Sequence, residues 1–198
     1  MSNVKIVSIG SGGIHALNHM IDSGLTGAEF IACTGDKYSL QMSKAPKKLW
    51  LTDGIVYGLD GDSTSRSEQS AIKSRDEILS ALDGADAGII VAGLGGFDGT
   101  GASPVVAKYA REIGALSVAV VSRPYGFEGL KRTARADAAL KKLAACTDAV
   151  IKIRSDKLLQ VVDPKTPMTA AFKCLDEILL RAVRTLLAAF QNPLRTER

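Results

Sequence analysis

Apolar residues occur along the chain in short runs that polar, glycine-containing segments separate. These runs are rich in Val, Ile and Ala, which is typical of strands buried inside a sheet. The pattern predicts strands at residues 4–9, 29–33, 87–92, 116–121 and 149–153, with a shorter one at 49–51.

Between the strands, apolar residues recur every three or four positions, which predicts amphipathic helices. One follows the glycines at 10–13 and ends at Gly24. The last has Thr166-Pro167 as its cap and first position and runs to about Phe190. Further helices are predicted at residues 68–82, 103–113, 127–145 and 156–162, and a loop at 54–67. Strands that alternate with helices indicate an α/β fold, a doubly wound parallel sheet with helices on both faces. Residues 1–198 are predicted to form a single domain.

Two glycine-rich segments come directly after predicted strands. The first is Gly10-Ser11-Gly12-Gly13. The second has five glycines in the nine residues from Gly93 to Gly101, before a helix predicted to open at Pro104. Glycine lets a backbone reach positive φ and approach a ligand, and a strand–loop–helix arrangement aims N–H groups at an anion. Both segments follow the carboxyl ends of parallel strands, so we expect them to converge on one ligand.

Composition narrows the class of protein. Hydrophobic residues make up 46% of the chain, no apolar run reaches the ~20 residues of a membrane span, and the N-terminus has no signal-peptide layout. Three separated cysteines suggest neither a disulfide framework nor a metal site, so a reducing, cytoplasmic setting fits best. The net charge of +4 includes a basic stretch from Lys131 to Arg154. No aromatic residue interleaves that stretch, so nucleic-acid binding is not expected.

The segment GLGGFDGTGASPVVA, residues 93–107, resembles the tubulin/FtsZ signature, whose consensus is GGGTGTG. Three more segments resemble FtsZ in the same order: VKIVSIGSGGIHALNHMIDSGLTGAEFIA, GALSVAVVSRPYGFEGLKR and RSDKLLQVVDPKTPMTAAFKCLDEIL. The resemblance implies the Rossmann-like fold of the tubulin/FtsZ GTPase domain, with GTP or GDP as ligand. It also implies a filament-forming cytoskeletal protein of cell division. The expected partner is the chain itself or a full-length FtsZ-like protein, in a head-to-tail or capping contact.

The resemblance also assigns site residues. Ser11, Gly12 and Gly13 fall in the first phosphate loop, and His15 stands where the family has an asparagine near the base. Gly95, Gly96, Gly99, Thr100 and Gly101 match the signature loop. Glu128 and Arg132 match a pair near the ribose, Phe172 a ring beside the base, and Asp176 the acid that reads guanine. A carboxylate suits that last task because it only accepts hydrogen bonds.

Some of these residues have simpler interpretations. Phe172 lies on the apolar side of the last helix and is typical of a core residue. Glu128 and Arg132 have the four-residue spacing of a surface ion pair on a helix. His15 and His19 are also four apart and suggest a metal site, but no third ligand is evident. Surface or site-lining histidines are therefore favoured.

Three departures from the family pattern weaken the assignment of GTPase activity. Phe97 and Asp98 replace a glycine and a threonine of the signature, and Asp98 is expected to repel phosphate by ~1 kcal/mol at ~4 Å even in bulk water. Residues 59–64 replace the family's loop near the γ-phosphate with a segment richer in acids, which could hold Mg²⁺. The chain stops at Arg198, before the activating loop and second domain of FtsZ. No catalytic residue is therefore assigned, self-sufficient hydrolysis is not expected, and a one-domain relative is favoured.

Two alternatives stay open. A degenerate relative would keep the fold, bind no nucleotide and act through protein–protein contacts. An NAD(P)-binding oxidoreductase is suggested by Gly10-x-Gly12 and by Asp36, which follows the second strand as a ribose-binding acid should. His15 replaces the third glycine of that fingerprint, and the second glycine-rich segment has no place in it, so this alternative is the weaker.

Overall fold

A parallel sheet forms the centre of the fold in the computed structural model, which describes residues 2–51, 63–163 and 165–191. Within those residues it has six strands in the order β3-β2-β1-β4-β5-β6. They are β1 (Val4–Ile9), β2 (Glu29–Thr34), β3 (Lys47–Trp50), β4 (Ala87–Gly93), β5 (Leu116–Arg123) and β6 (Ala149–Arg154). The chain winds outward from β1 to β3 and then returns to β4, so the winding direction reverses between β1 and β4. The doubly wound parallel sheet predicted from the sequence is confirmed.

Helices cover both faces of the sheet. They are α1 (Gly10–Asp22), α2 (Lys37–Gln41), α3 (Ser63–Lys73), α4 (Arg75–Leu82), α5 (Asp98–Glu112), α6 (Leu130–Cys146), α7 (Ser155–Leu159) and α8 (Met168–Gln191). Successive residues of β4 point to opposite faces: Ile90 packs in a core with α4, α5 and α6, and Ile89 in a second core with α1 and α8. Within the described ranges, no helix combines the length and apolarity needed to cross a bilayer.

The start of α5 differs from the prediction. The helix begins at Asp98, five residues before the predicted start, because the N–H groups of Thr100 and Gly101 both donate to the Phe97 carbonyl, at 3.2 and 2.8 Å. Gly99, Thr100 and Gly101 therefore belong to the first turns of a helix rather than to a loop. Pro104 lies inside this helix.

Other predicted boundaries are also wrong. Residues 63–67, predicted as loop, are helical in α3, whereas 54–62 lie outside the described residues. The predicted helix at 68–82 is two helices, because Ser74 between them has a ψ of 26°. The helix predicted from residue 127 begins at Leu130, since Gly129 has a φ of 98° and separates it from a short 3₁₀ turn at Gly126–Glu128.

Candidate functional site

Two cavities adjoin at the carboxyl edge of the sheet, where the winding direction reverses. The smaller cavity, of about 400 Å³, is lined by the segments after β1, β2 and β4 and by two arginines of α6. The larger cavity, of about 610 Å³, lies between α1, the segment after β5, and α8. Both are lined by Ser11, Gly12, Gly96 and Arg132, so they form one continuous groove. Ligands of doubly wound sheets bind at this kind of place.

Two helix N-termini meet at the smaller cavity. α1 begins at Gly10 and α5 at Asp98, and both residues line the cavity wall. The first N–H groups of a helix have no partner within the helix, and the helix dipole places partial positive charge there. The smaller cavity therefore suits an anion such as a phosphate group.

Close backbone contacts within and between the two glycine-rich segments explain part of their glycine content. A Cβ added to Gly99 would overlap the carbonyl oxygen of Gly93. Gly10 has a φ of +72°, and a Cβ there would lie 2.9 Å from the nitrogen of Gly99. Gly96 differs, since a Cβ added to it would meet no atom within 4 Å. Glycine at positions 10 and 99 thus serves the packing of backbone against backbone, and Gly96 borders open space.

The carboxylate of Asp98 is buried in the wall of the smaller cavity, where the residue is 5% exposed. Its Oδ2 accepts hydrogen bonds from Thr34 Oγ1 at 2.6 Å and from Gly35 N at 2.9 Å, and its Oδ1 accepts one from Ser67 Oγ at 2.8 Å. These donors join β2, α3 and α5 through one side chain. The carboxylate thus lines the smaller cavity, as Phe97 and Gly99 beside it do, while both of its oxygens accept hydrogen bonds from donors of the protein.

Two arginines of α6 face the smaller cavity. Arg132 pairs with Glu128, and the guanidinium of Arg135 lies over the ring of Phe97, with 5.3 Å between its Cζ and the ring centroid. Phe97 immediately precedes α5 with helical backbone angles. Phe97, which replaces a glycine of the signature, thus attracts the Arg135 cation at the cavity wall.

Aromatic rings form one side of the larger cavity. Tyr125 is almost fully buried, stacks on Phe127 with centroids 5.1 Å apart, and meets the edge of Phe172 at 5.5 Å. Phe172 is 40% exposed and lines the cavity, so its interpretation as a core residue is wrong. Glu128 accepts a hydrogen bond from Tyr125 N at 2.8 Å besides pairing with Arg132, so the predicted ion pair forms in the wall of this cavity.

A histidine–carboxylate pair bridges α1 and α8 across the larger cavity. His15 Nδ1 lies 2.7 Å from Asp176 Oδ2, with 68% of the histidine side chain but only 8% of the aspartate side chain exposed. Burial raises the pKa of Asp176, and the neighbouring His15 opposes that rise. His19 Nε2 lies 3.3 Å from Glu177 Oε2 one turn further along. Both histidines of α1 thus pair with carboxylates of α8, and among the described residues no group of three or more potential metal-binding side chains occurs.

The model of the Tubulin/FtsZ family, GTPase domain, matches residues 3–163. The chain belongs to this family. Among solved structures, an empty FtsZ dimer from M. jannaschii has a TM-score of 0.87 and 36% identity, and the match covers 94% of this chain and 55% of that one. A mutant FtsZ from the same organism has a TM-score of 0.86 and 35% identity, and the match covers 94% of this chain and 56% of that one. CetZ from Methanosaeta thermophila shares the fold, with a TM-score of 0.80 and 19% identity. That match covers 96% of this chain and 54% of the CetZ chain. The chain thus spans little more than half the length of these solved proteins.

The structure brings together most residues that the FtsZ resemblance assigned. The smaller cavity is lined by Ser11, Gly12, Gly95, Gly96, Gly99 and Arg132, and the larger by Ser11, Gly12, His15, Gly96, Glu128, Arg132, Phe172 and Asp176. Gly13, Thr100 and Gly101 are described residues that line neither of these two cavities. Thr100 Oγ1 accepts a hydrogen bond from Gly95 N at 2.8 Å and so shapes the loop from behind.

Other lining residues were not found from the sequence. Arg135 lies in the basic stretch from Lys131 to Arg154, and Tyr125 precedes the helix predicted at 127–145, so neither is marked by a motif of its own. Arg132 and Arg135 are three residues apart on one predicted helix, so they lie on the same face of it. That spacing was the signal that Arg135 could join Arg132 at the site. Asp36, considered as a ribose-binding acid, caps α2 by accepting hydrogen bonds from Tyr38 N and Ser39 N at 3.1 and 3.2 Å. Its carboxylate is therefore already engaged, which argues against the oxidoreductase alternative.

Proposed function

We propose that this FtsZ-family domain binds a guanine nucleotide along the groove, with the base in the larger cavity and the phosphates in the smaller. The observation that carries the proposal is the buried carboxylate of Asp176 in the larger cavity, beside the exposed ring of Phe172. A carboxylate can accept from two neighbouring N–H donors, which guanine presents and adenine does not. The two helix N-termini at the other end of the groove suit the phosphates.

The domain acts in this proposal as a cytoplasmic, FtsZ-like component of filament assembly or its control. Two related structures support this proposal. One is an FtsZ dimer, and the other, a CetZ protein from Haloferax volcanii with the same fold at 20% identity, is described as a GDP-bound monomer. The proposed partner is a second copy or a longer FtsZ-like protein. Mg²⁺ would accompany the phosphates, although the acidic segment considered for it, 59–62, lies outside the described residues.

A second candidate function is a protein-binding module that has lost its nucleotide. Two observations favour it. His15 already occupies one oxygen of Asp176, and the apolar side chains of Phe127 and Leu130 are 57% and 88% exposed close to the larger cavity. A nucleotide must share or displace the histidine before it can bind as proposed.

Calorimetric titration of GTP, GDP and ATP decides between the two candidates. We expect GTP and GDP to bind more tightly than ATP, and the Asp176→Ala variant to lose that preference because the acceptor for the guanine donors is gone. Glu177→Gln is the matched control, since Glu177 is the next residue of α8 and lines neither cavity. Binding of no nucleotide would favour the second candidate, whereas equal binding of GTP and ATP would reject guanine recognition by Asp176.

A further inference from the structure

We propose that Arg135 binds the terminal phosphate of a nucleoside triphosphate and makes this domain prefer triphosphates to diphosphates, with Phe97 holding the guanidinium in place. The inference rests on the proposed function, because it takes the phosphates to lie in the smaller cavity. It assigns a role to a residue pair, Phe97 and Arg135, that the family signature does not contain.

The position of Arg135 along the groove is the first argument. Arg132 lines both cavities, whereas Arg135 lines the smaller cavity and is absent from the described lining of the larger. A nucleotide whose base lies beside Phe172 extends its phosphate chain past Arg132 and into the smaller cavity. Arg135 therefore meets the phosphates that are farthest from the base.

The balance of charge in the smaller cavity is the second argument. Arg132 is already paired with Glu128. Among the described residues, no carboxylate lies within ion-pair distance of the Arg135 guanidinium. The two acids of the same wall, Asp36 and Asp98, accept hydrogen bonds from N–H and O–H donors. An anion that enters the cavity thus finds a cation whose charge no described acid has neutralised, and arginine suits phosphate because its planar fork donates two parallel hydrogen bonds.

The support from Phe97 is the third argument. An arginine side chain loses conformational freedom when it binds a phosphate, and that loss is smaller when the side chain is already held. The ring of Phe97 lies 5.3 Å from the Arg135 Cζ and attracts the cation without using any of its N–H groups. The donors of Arg135 make no hydrogen bond to another described residue and stay available for a ligand, so the phenylalanine that replaces a signature glycine gains a function.

The test compares GTP, GDP and GMP by calorimetry on the unchanged chain, Arg135→Gln and Phe97→Leu. We expect Arg135→Gln to weaken GTP binding about tenfold or more, GDP binding less, and GMP binding not measurably, since a charged hydrogen bond to the terminal phosphate is lost. Phe97→Leu should shift the same ratio in the same direction by a smaller factor. Lys141→Gln removes a positive charge from an exposed position of the same helix and should leave all three affinities unchanged.

Inorganic tripolyphosphate separates this inference from the proposed function, because it carries the phosphate chain without a base. We expect it to bind to the unchanged chain and to bind about tenfold more weakly to Arg135→Gln. If tripolyphosphate shows this dependence but GTP and ATP bind equally, the guanine proposal fails and the role of Arg135 stands. If guanine nucleotides bind and Arg135→Gln weakens GTP and GDP by the same factor, the role of Arg135 is refuted. An unchanged chain that binds neither nucleotide nor tripolyphosphate overturns both.

Discussion

Asp98 shows how a single residue can carry charge next to an anion site without occupying it. Its two oxygens take hydrogen bonds from β2, from the residue after β2 and from α3, so the side chain ties together three segments around the smaller cavity. Burial, and with it the same negative charge, raises the pKa of the Cys33 thiol, which is fully buried on β2. Asp98 is thus part of the internal structure that surrounds the smaller cavity.

We expect Asp98→Ala to destabilise the fold by about 1–3 kcal/mol, because it leaves the buried hydroxyl groups of Thr34 and Ser67 without their acceptor. The free energy of unfolding is measured by urea denaturation. Asp76→Ala is the control, since the Asp76 side chain is 96% exposed and should change stability by less than about 0.5 kcal/mol. Because Asp98 accepts hydrogen bonds from the protein itself, changing Asp98→Thr and Phe97→Gly together should not tighten nucleotide binding. Tighter GTP binding by that double variant, with no loss of stability, would contradict this account.

Asp176 gives the proposed base recognition a dependence on pH. Its pKa is raised by burial, so the ionised carboxylate that accepts from guanine is lost, as pH falls, earlier than for an exposed aspartate. His15 acts against the rise in pKa, so His15→Asn raises it further. GTP affinity should therefore begin to fall at a higher pH in His15→Asn than in the unchanged chain. The measurement is the GTP dissociation constant as a function of pH, from neutral pH into the acidic range. His19→Asn, at a histidine that contacts Glu177 instead, should shift the profile less. Identical profiles for all three proteins would rule out this coupling.

At the scale of elements, the segment from β4 to α5 depends on glycine at fixed positions. Gly99→Ala should destabilise the fold by about 1–3 kcal/mol or more. The added methyl group overlaps the backbone of Gly93, and no flexible side chain there can move aside. Gly96→Ala is a matched variant three residues earlier, and its methyl group meets open space. It should keep the stability within about 0.5 kcal/mol. Urea denaturation of both variants provides the measurement. Equal losses of stability would show that Gly99 does not pack against the backbone of Gly93 as described.

The sequence predicted the strands and the convergence of the two glycine-rich segments well, because apolar runs and clustered glycines are strong local signals. It misplaced the start of α5, since Gly99 and Gly101 have the composition of a loop although they lie in a helix. The break at Ser74 was missed, although Ser74 with Glu77 three residues later is a pattern typical of a helix N-terminus. The pairing of His15 with Asp176 joins residues 161 positions apart and depends on the packing of α1 against α8, which no short-range pattern contains.

At the scale of the molecule, one sheet separates two apolar cores and is shared by both. Val7, Ile9 and Ile90 face one core, and Ile6 and Ile89 face the other, so neither core can come apart while the sheet stays intact. Heat should therefore unfold the described parts of the chain in a single cooperative transition. GTP at 100 times its dissociation constant should raise the midpoint by about 5–10 °C, because a ligand that binds only the folded state adds about 2.7 kcal/mol. Differential scanning calorimetry tests both statements. Two separate transitions would contradict the first, and an unchanged midpoint at saturating GTP would contradict the second.

The packing of α8 against α1 has a consequence for how this chain is made. The two helices cover the same face of the sheet, and near the end of α8 the side chain of Gln191 donates to the carbonyl of Gly27 at 3.0 Å, while Ser2 Oγ donates to Phe190 O at 3.1 Å. A ribosome delivers the strands and α1 long before Leu179, Val183 and Leu187 emerge to cover them. The nascent chain therefore exposes an apolar surface until α8 has emerged, and during that interval it is a substrate for chaperones and a target for aggregation.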